Sequence, residues 1–340
     1  MYNLGYLGLY KNVPKKRKFN STPDYERDTY EVLQYKSHLR NEFLIPLKAN
    51  GDGSGVATIR LQSLETQSVK ITGNGRFYTS AAGTTEILGA ESTIGTWLGS
   101  LYVKVPAGES CYLVCGKADK LRGLGNISTN VIADGVNVPY INYCAINYPL
   151  INLSVIRIAG VLNSSFTGSI DNTPNLTYIN IYNSLLSAFT GSIDSTHNLT
   201  TLICGHNLLS SFKGSTDSTP NLERIDIYMN LLSAFTGDIG KIVKCSYLDL
   251  YTNTNCTFTY VTPRNDWTSA YKMLWVSCTS MTSTMVDNLL IDLDASGVMP
   301  TGSGFINLNG LCGAVTSASA AARASLVNKG FTVIVKTQGE

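Results

Sequence analysis

The sequence predicts a mixed β/α chain in four parts. These are an N-terminal extended arm over residues 1–42, a small β-sandwich-like domain over 43–118, a solenoid with a 23-residue period over 119–282, and an α/β C-terminal cap over 283–340. Three observations carry that expectation. One pattern recurs every 23 residues between about Leu153 and Thr259, and the copies Thr173 to Ser195, Thr196 to Ser218 and Thr219 to Lys241 align without a gap. Such a period marks units that bury their apolar faces against their neighbours. Ahead of it, short runs alternating apolar and polar residues are separated by Gly-rich turns. Behind it, helical periodicity takes over.

Residues 1–42 read as an anchoring arm. Tyr2, Tyr6 and Tyr10 stand among Gly and apolar residues, followed by Lys15, Lys16, Arg17 and Lys18. Four basic residues without interleaved aromatics fit a solvated tail, or an arm ordering on an acidic partner, better than a nucleic-acid contact. A short helix is allowed between Thr29 and Leu39. Candidate strands at Phe43–Leu47, Val56–Leu61, Ser68–Ile71, Arg76–Thr79, Leu101–Val105 and Cys111–Cys115 suit a sandwich or jelly roll. Gly51 to Gly55 lacks the Lys-Ser/Thr ending and following helix of a phosphate-binding loop, so it reads as a hairpin turn. Lys120 to Leu124 reads as a degenerate first turn that caps the stack.

Within the repeat, Ile156, Ile179, Leu202, Ile225 and Leu248 fall at one position, and Ile158, Ile181, Cys204, Ile227 and Leu250 two residues later. Period-2 alternation makes these the inward side chains of a short strand. Asn207, Asn230 and Asn253 follow at the strand end, where an Asn satisfies backbone groups hidden from water; the other copies have Ser184 and Val161. Phe166, Phe189, Phe212, Phe235 and Phe258 recur at the same spacing and are expected to stack as a spine. Gly168, Gly191, Gly214 and Gly237 turn the chain behind it.

The outward positions form two columns. One holds Arg157, Asn180, Ile203, Asp226 and Asp249; the next holds Ala159, Tyr182, Gly205, Tyr228 and Tyr251. The candidate ligand-binding set on this sheet is Arg157, Asn180, Tyr182, Asp226, Tyr228, Asp249 and Tyr251. Tyr offers a large contact area at small rotamer cost. The competing reading is a solvated sheet of residues with β propensity. Asp226 and Asp249 should lie roughly 5 Å apart along the backbone. That spacing admits a glycosidase-like pair, but on an open sheet they read as a solvated or cation-binding surface. His38, His197 and His206 lack partners at ligand or nucleophile spacing. No catalytic residue, metal site or cofactor is therefore expected.

The tail predicts a helix starting at Ser283 or Thr284 and ending at Gly297, a strand over Phe305–Leu308, an Ala-rich helix from Ser319 to Lys329, and a last strand over Phe331–Val335. Met273–Val276 should resume the sheet after the insertion from Val261 to Trp267.

Composition narrows the classes of function. Charged residues are 15% and the net charge is +2, so the chain as a whole offers no electrostatic lure to nucleic acid or membrane. The residues from Met1 to Tyr10 show no secretory leader, and no run of about 18 apolar residues suggests a membrane span. Cys204 and Cys245 take the places of Ile or Leu in adjoining copies, which points to buried free thiols; a disulfide or metal at Cys111 and Cys115 is the other reading.

Leu202, Asn207 and Leu209, preceded by Leu199, resemble the leucine-rich repeat signature. The resemblance implies a curved solenoid whose concave parallel sheet binds proteins or glycans. Ala320 to Val333 is similar to the ends of leucine-rich proteins in bacteriophage and prophage structural regions. Together these imply a non-enzymatic virion structural protein of a bacteriophage, as a head fibre, decoration or tail-associated protein, assembled in the host cytoplasm. Expected partners are other virion proteins through the arm, a host-surface protein or glycan on the sheet, and further copies of the chain. Neither membrane insertion nor nucleic acid is expected. The alternative is a bacterial leucine-rich-repeat adhesin or effector.

Overall fold

The computed structural model describes residues 23–25, 33, 36–37, 39–49, 52–96, 99–126, 140–142, 150, 152–157, 164–165, 170, 173–184, 192–210, 212–253, 255–264, 266–267 and 270–339. Tyr2, Tyr6, Tyr10, Lys15, Lys16, Arg17 and Lys18 of the expected arm lie outside these residues, as do Phe166 and Phe189 of the expected spine and Ala159 of the outward columns.

Alternating sequence sets the strands. Before the repeat run β1 (Phe43–Lys48), β2 (Ala57–Ser63), β3 (Gln67–Ile71), β4 (Arg76–Tyr78), β5 (Glu91–Ile94), β6 (Gly99–Lys104), β7 (Ser110–Cys115), β8 (Leu121–Asn126) and β9 (Tyr140–Asn142). The repeats supply β10 (Val155–Arg157), β11 (Ser164–Ser165), β12 (Tyr178–Asn180), β13 (Thr201–Ile203), β14 (Gly214–Ser215), β15 (Arg224–Asp226), β16 (Phe235–Asp238), β17 (Tyr247–Asp249) and β18 (Thr257–Thr259). After them come β19 (Ala270–Trp275), β20 (Met299–Leu308) and β21 (Thr332–Val335).

The expected architecture, a sandwich-like domain joined to a separate leucine-rich-repeat solenoid and an α/β cap, is not the one the chain adopts. Strands from all three expected parts join one 12-stranded mixed sheet, in the order β21-β20-β19-β17-β15-β13-β12-β10-β8-β2-β6-β4. The joint is β8. One edge pairs parallel with β10, matching Leu124 to Ile156, and the other pairs antiparallel with β2, matching Leu124 to Leu61. An inward column therefore runs without interruption through Leu61, Leu124, Ile156, Ile179, Leu202, Ile225, Leu248, Leu274 and Ile306. Every one of these side chains is buried. Burial of each contributes about 1.5–3 kcal/mol relative to exposure. Joining the two parts also hides strand edges that would otherwise present unpaired backbone groups.

A second sheet, β11-β9-β1-β7-β3-β5, faces the β2, β6 and β4 end. Phe43, Ile45, Val69 and Leu113 enter the same core as Ile59, Phe77 and Val103. The second layer of the expected sandwich is thus the end of the long sheet. On the outer side of β1 and β7, Leu33 packs with Leu44 and Val114. The described residues Leu33, Lys36, Ser37 and Leu39 are helical, within the span where the sequence allows a short helix, and Leu33 rests on the second sheet.

Behind the repeat strands, β14, β16 and β18 form a small parallel sheet. The rings of Phe212 and Phe235 stack at 5.7 Å between centroids, and those of Phe235 and Phe258 lie at 5.9 Å. Acids close each rung onto the next. Asp194 accepts from the Ser215 N–H at 2.9 Å, Asp217 from the Asp238 N–H at 2.9 Å, and Asp238 from the Val261 N–H at 3.2 Å. At the front turn Asn207 accepts from Ser184 N at 3.0 Å and donates to the carbonyls of Ile181 and Cys204 at 2.6 and 2.9 Å. Asn230 accepts from Leu209 N at 3.2 Å and donates to the carbonyls of Cys204 and Ile227. Asn253 donates to the Ile227 carbonyl at 2.5 Å. The residue before each turn Asn, and its counterpart Asn183, is left-handed: φ is 48° at Asn183, 56° at His206, 52° at Met229 and 63° at Thr252.

The helix over Ser283–Ala295 is capped by Thr282, whose hydroxyl accepts from Met285 N; the expected caps were Ser283 or Thr284. Val286, Leu289, Leu290 and Leu293 face the core. The helix over Ala320–Asn328 ends before Gly330, whose φ of 100° releases the chain into β21. The seven described cysteines are free and buried, and burial pushes Cys111, Cys115 and Cys245 up to about 12. No helix among the described residues is long and apolar enough to cross a membrane.

Candidate functional site

In a strand only three residues long, the inward residue has an outward neighbour on each side. Ile225 and Leu248 point into the core, so Arg224 and Asp226, and Tyr247 and Asp249, both face out. The outer face of the repeat sheet thus carries three columns. The first contains Tyr178, Thr201, Arg224 and Tyr247; the second Asn180, Ile203, Asp226, Asp249 and Trp275; the third Tyr182, Gly205, Tyr228 and Tyr251. The outer columns flank the middle one as the sides of a trough that crosses the strands.

Asp226 and Asp249 are partners in the register of β15 and β17. They are only 4% and 6% exposed, which overturns the expectation of a solvated acidic surface. Their neighbours explain the burial. The Arg224 guanidinium donates to Asp226 Oδ2 at 2.6 Å and lies 4.3 Å from the centre of the Tyr247 ring, with Lys272 on the same ring at 5.9 Å. Asp226 Oδ1 is buried and has no hydrogen-bond partner among the described residues, and neither has Arg224 Nε. Asp249 Oδ1 accepts from Tyr251 N at 3.0 Å. Asn180 does the same for Tyr182 N at 3.2 Å, and Asn307 for Asn309 N at 3.0 Å. Asn180, Asp249 and Asn307 therefore each close their strand by an Asx turn. Burial pushes the Asp249 carboxyl up to about 6; the Asp226 charge adds to the rise, while the Tyr251 N–H and Arg224 oppose it. Burial, with Asp226 and Asp249, also moves the Tyr247 hydroxyl up to about 12.

The third column is built around a missing side chain. Gly205 separates Tyr182 from Tyr228, and their hydroxyls meet above it at 3.1 Å. A Cβ at Gly205 would come within 2.8 Å of the Tyr228 ring and 3.3 Å of Asp226 Oδ1. Burial, reinforced by the Tyr182 hydrogen bond, raises the Tyr228 hydroxyl well above the ordinary tyrosine value. His206 sits edge-on to both rings, at 5.7 Å from Tyr182 and 5.1 Å from Tyr228. Farther along, Tyr251 and Trp275 pair at 4.2 Å, and Trp275 meets Phe305 edge-on at 5.4 Å.

Of the seven sequence-predicted residues, Asp226, Tyr228, Asp249, Tyr251 and Tyr182 lie together. Asn180 is at the same end as Tyr182. Arg157 is exposed, is the register partner of Asn180 on the adjacent rung, and sits over the Tyr178 ring at 5.0 Å. Arg224, Tyr247, Trp275 and His206 were missed. The alternation that places Ile225 inward also exposes Arg224, so the first column was readable. Trp275 lies behind the insertion at 261–267, which hides its register. Among the described residues no group of three or more His, Cys, Asp or Glu could hold a metal ion. No family model, curated protein or solved structure matches the chain.

Proposed function

We propose that this chain is a non-enzymatic structural protein of a bacteriophage particle, attached through its N-terminal segment, whose outward sheet face contacts a host-surface protein or glycan. The observation that supports it is the concentration of aromatic rings around two buried carboxylates on one face of the long sheet. Scattered outward residues on a solvated sheet would not exclude water from two neighbouring acids. The similarity of Ala320 to Val333 to phage structural proteins supplies the particle, and the Lys15 to Lys18 run supplies a charged contact for attachment.

The test is a phage-encoded chain lacking residues 1–22, a deletion that spares Leu33 and its packing on Leu44. Purified particles that lack the shortened chain, with infectivity falling in step, support the reading. Unchanged incorporation removes the attachment claim. A Tyr251→Ala particle that adsorbs to host cells as well as the parent removes the contact claim.

A further inference from the structure

The trough across β12, β13, β15 and β17 is more specific than a general contact surface. Asn180 and Asp249 are three strand spacings apart, about 14 Å. Its middle column offers acceptors and its flanks offer rings. The charges are mixed: Arg224 pairs with Asp226, the register partner of Asp249, and Lys272 lies over the Tyr247 ring. A cationic ligand meets Arg224, already seated on Asp226, and an anionic one meets two carboxylates. Neither sign of charge is welcomed.

The unmet groups point to a hydroxyl. Asp226 Oδ1 is an acceptor without a donor, and Arg224 Nε is a donor without an acceptor. Buried polar groups are normally satisfied, and such an orphan costs about 1–3 kcal/mol. A hydroxyl both donates and accepts, and so suits either group. At the far end, Tyr251 is 37% exposed and backed by Trp275 at 4.2 Å, leaving part of a rigid ring available for stacking.

We infer that the trough binds an uncharged oligosaccharide, with Asp226 and Asp249 accepting its hydroxyls and Tyr251 with Trp275 stacking on a sugar ring. This rests on the recognition reading above and names its ligand class. Asp226 Oδ1 and the Tyr228 ring share the space above Gly205, so a hydroxyl reaches that oxygen as the ring lifts. The 3.1 Å contact with Tyr182 holds the ring in place until then.

The test uses the full chain on an array of neutral and acidic bacterial-surface polysaccharides, followed by calorimetry with fragments of the best-bound one. Asp249→Asn and Tyr251→Ala are compared with the parent. Asn is compatible with the fold at 249 because Asn180 and Asn307 accept the same N–H in their rungs. The expected result is selective binding of neutral glycans, weakened about tenfold or more by either substitution. Selection of acidic glycans, absence of any bound glycan, or equal binding by all three proteins overturns the inference. A parallel arm presents a bacterial envelope preparation before and after protease treatment. Binding lost with protease and sensitive to Asp249→Asn leaves the recognition face standing and sinks the glycan. Binding to neither glycan nor envelope sinks both.

Discussion

Tyr182 and Tyr228, two rungs apart in the parallel sheet, join their hydroxyls at 3.1 Å above Gly205. The contact exists because the intervening rung has no side chain there. Gly205→Ala places a methyl 2.8 Å from the Tyr228 ring, and the ring must move. The hydrogen bond is then lost, at about 0.5–1.5 kcal/mol. Tyr228→Phe removes the same bond by another route. The two substitutions should therefore be less than additive in urea unfolding, and full additivity would separate the glycine from the tyrosine pair.

Asp249 should make stability depend on pH in an unusual direction. Its carboxyl lies near 6 in the folded chain, against an ordinary value of 3.8. The folded state holds this proton more tightly than the unfolded state between those values. Stability contributed by this group is therefore present below about pH 4 and lost as pH rises through about 6, by roughly 3 kcal/mol. Asp249→Asn removes that dependence, keeps the acceptor for Tyr251 N, and should be the more stable protein at pH 7. Denaturant titrations of both proteins at pH 4, 5, 6 and 7 measure this; parallel curves would clear Asp249 of the effect. A substitution that stabilises the fold while weakening ligand binding marks a residue whose place is set by recognition.

The repeated left-handed position gives a second route to stability. Asn183 suits a φ of 48°, because Asn visits that region readily, but Thr252 at 63° is β-branched. Thr252→Asn should raise the unfolding free energy by about 0.5–1 kcal/mol. The reverse exchange, Asn183→Thr, should lower it by a similar amount. Thermal unfolding of the two variants decides it, and a destabilised Thr252→Asn protein would contradict the argument.

Asn230 holds four backbone groups at once. It accepts from Leu209 N and donates to the carbonyls of Cys204, Ile227 and Tyr228. Asn230→Leu matches the apolar surroundings and leaves the Cys204 and Ile227 carbonyls their second donors, Asn207 and Asn253, but it strands the buried Leu209 N–H. A loss of about 1–3 kcal/mol is expected in chemical unfolding. A loss below 1 kcal/mol would mean that water enters the turn.

The local rules were legible in the chain. The spacing of Ile179, Leu202, Ile225 and Leu248 determined a three-residue rung with one face buried, and Asn207 and Asn230 recur where each rung ends. The same alternation implied Arg224 and Tyr247 on the outer face, because residues on both sides of an inward one must point away from it. What the alternation could not supply was which strand edges meet. β8 carries the same apolar pattern whether it caps a stack or joins two sheets, and only its parallel match to β10 and antiparallel match to β2 make one 12-stranded sheet. Strand pairing depends on backbone edges that any sequence presents alike.

The site divides in the same way. The sequence by itself placed Asp226 and Asp249 on neighbouring rungs and supplied the Tyr residues beside them. Tertiary structure alone decided that the acids are buried, that Arg224 seats on Asp226, and that Trp275, on the strand expected to resume the sheet after the insertion, backs Tyr251. Burial and charge pairing arise from side chains brought together across strands. Their rotamers, and not their spacing along the chain, determine which oxygen is covered and which is left without a donor.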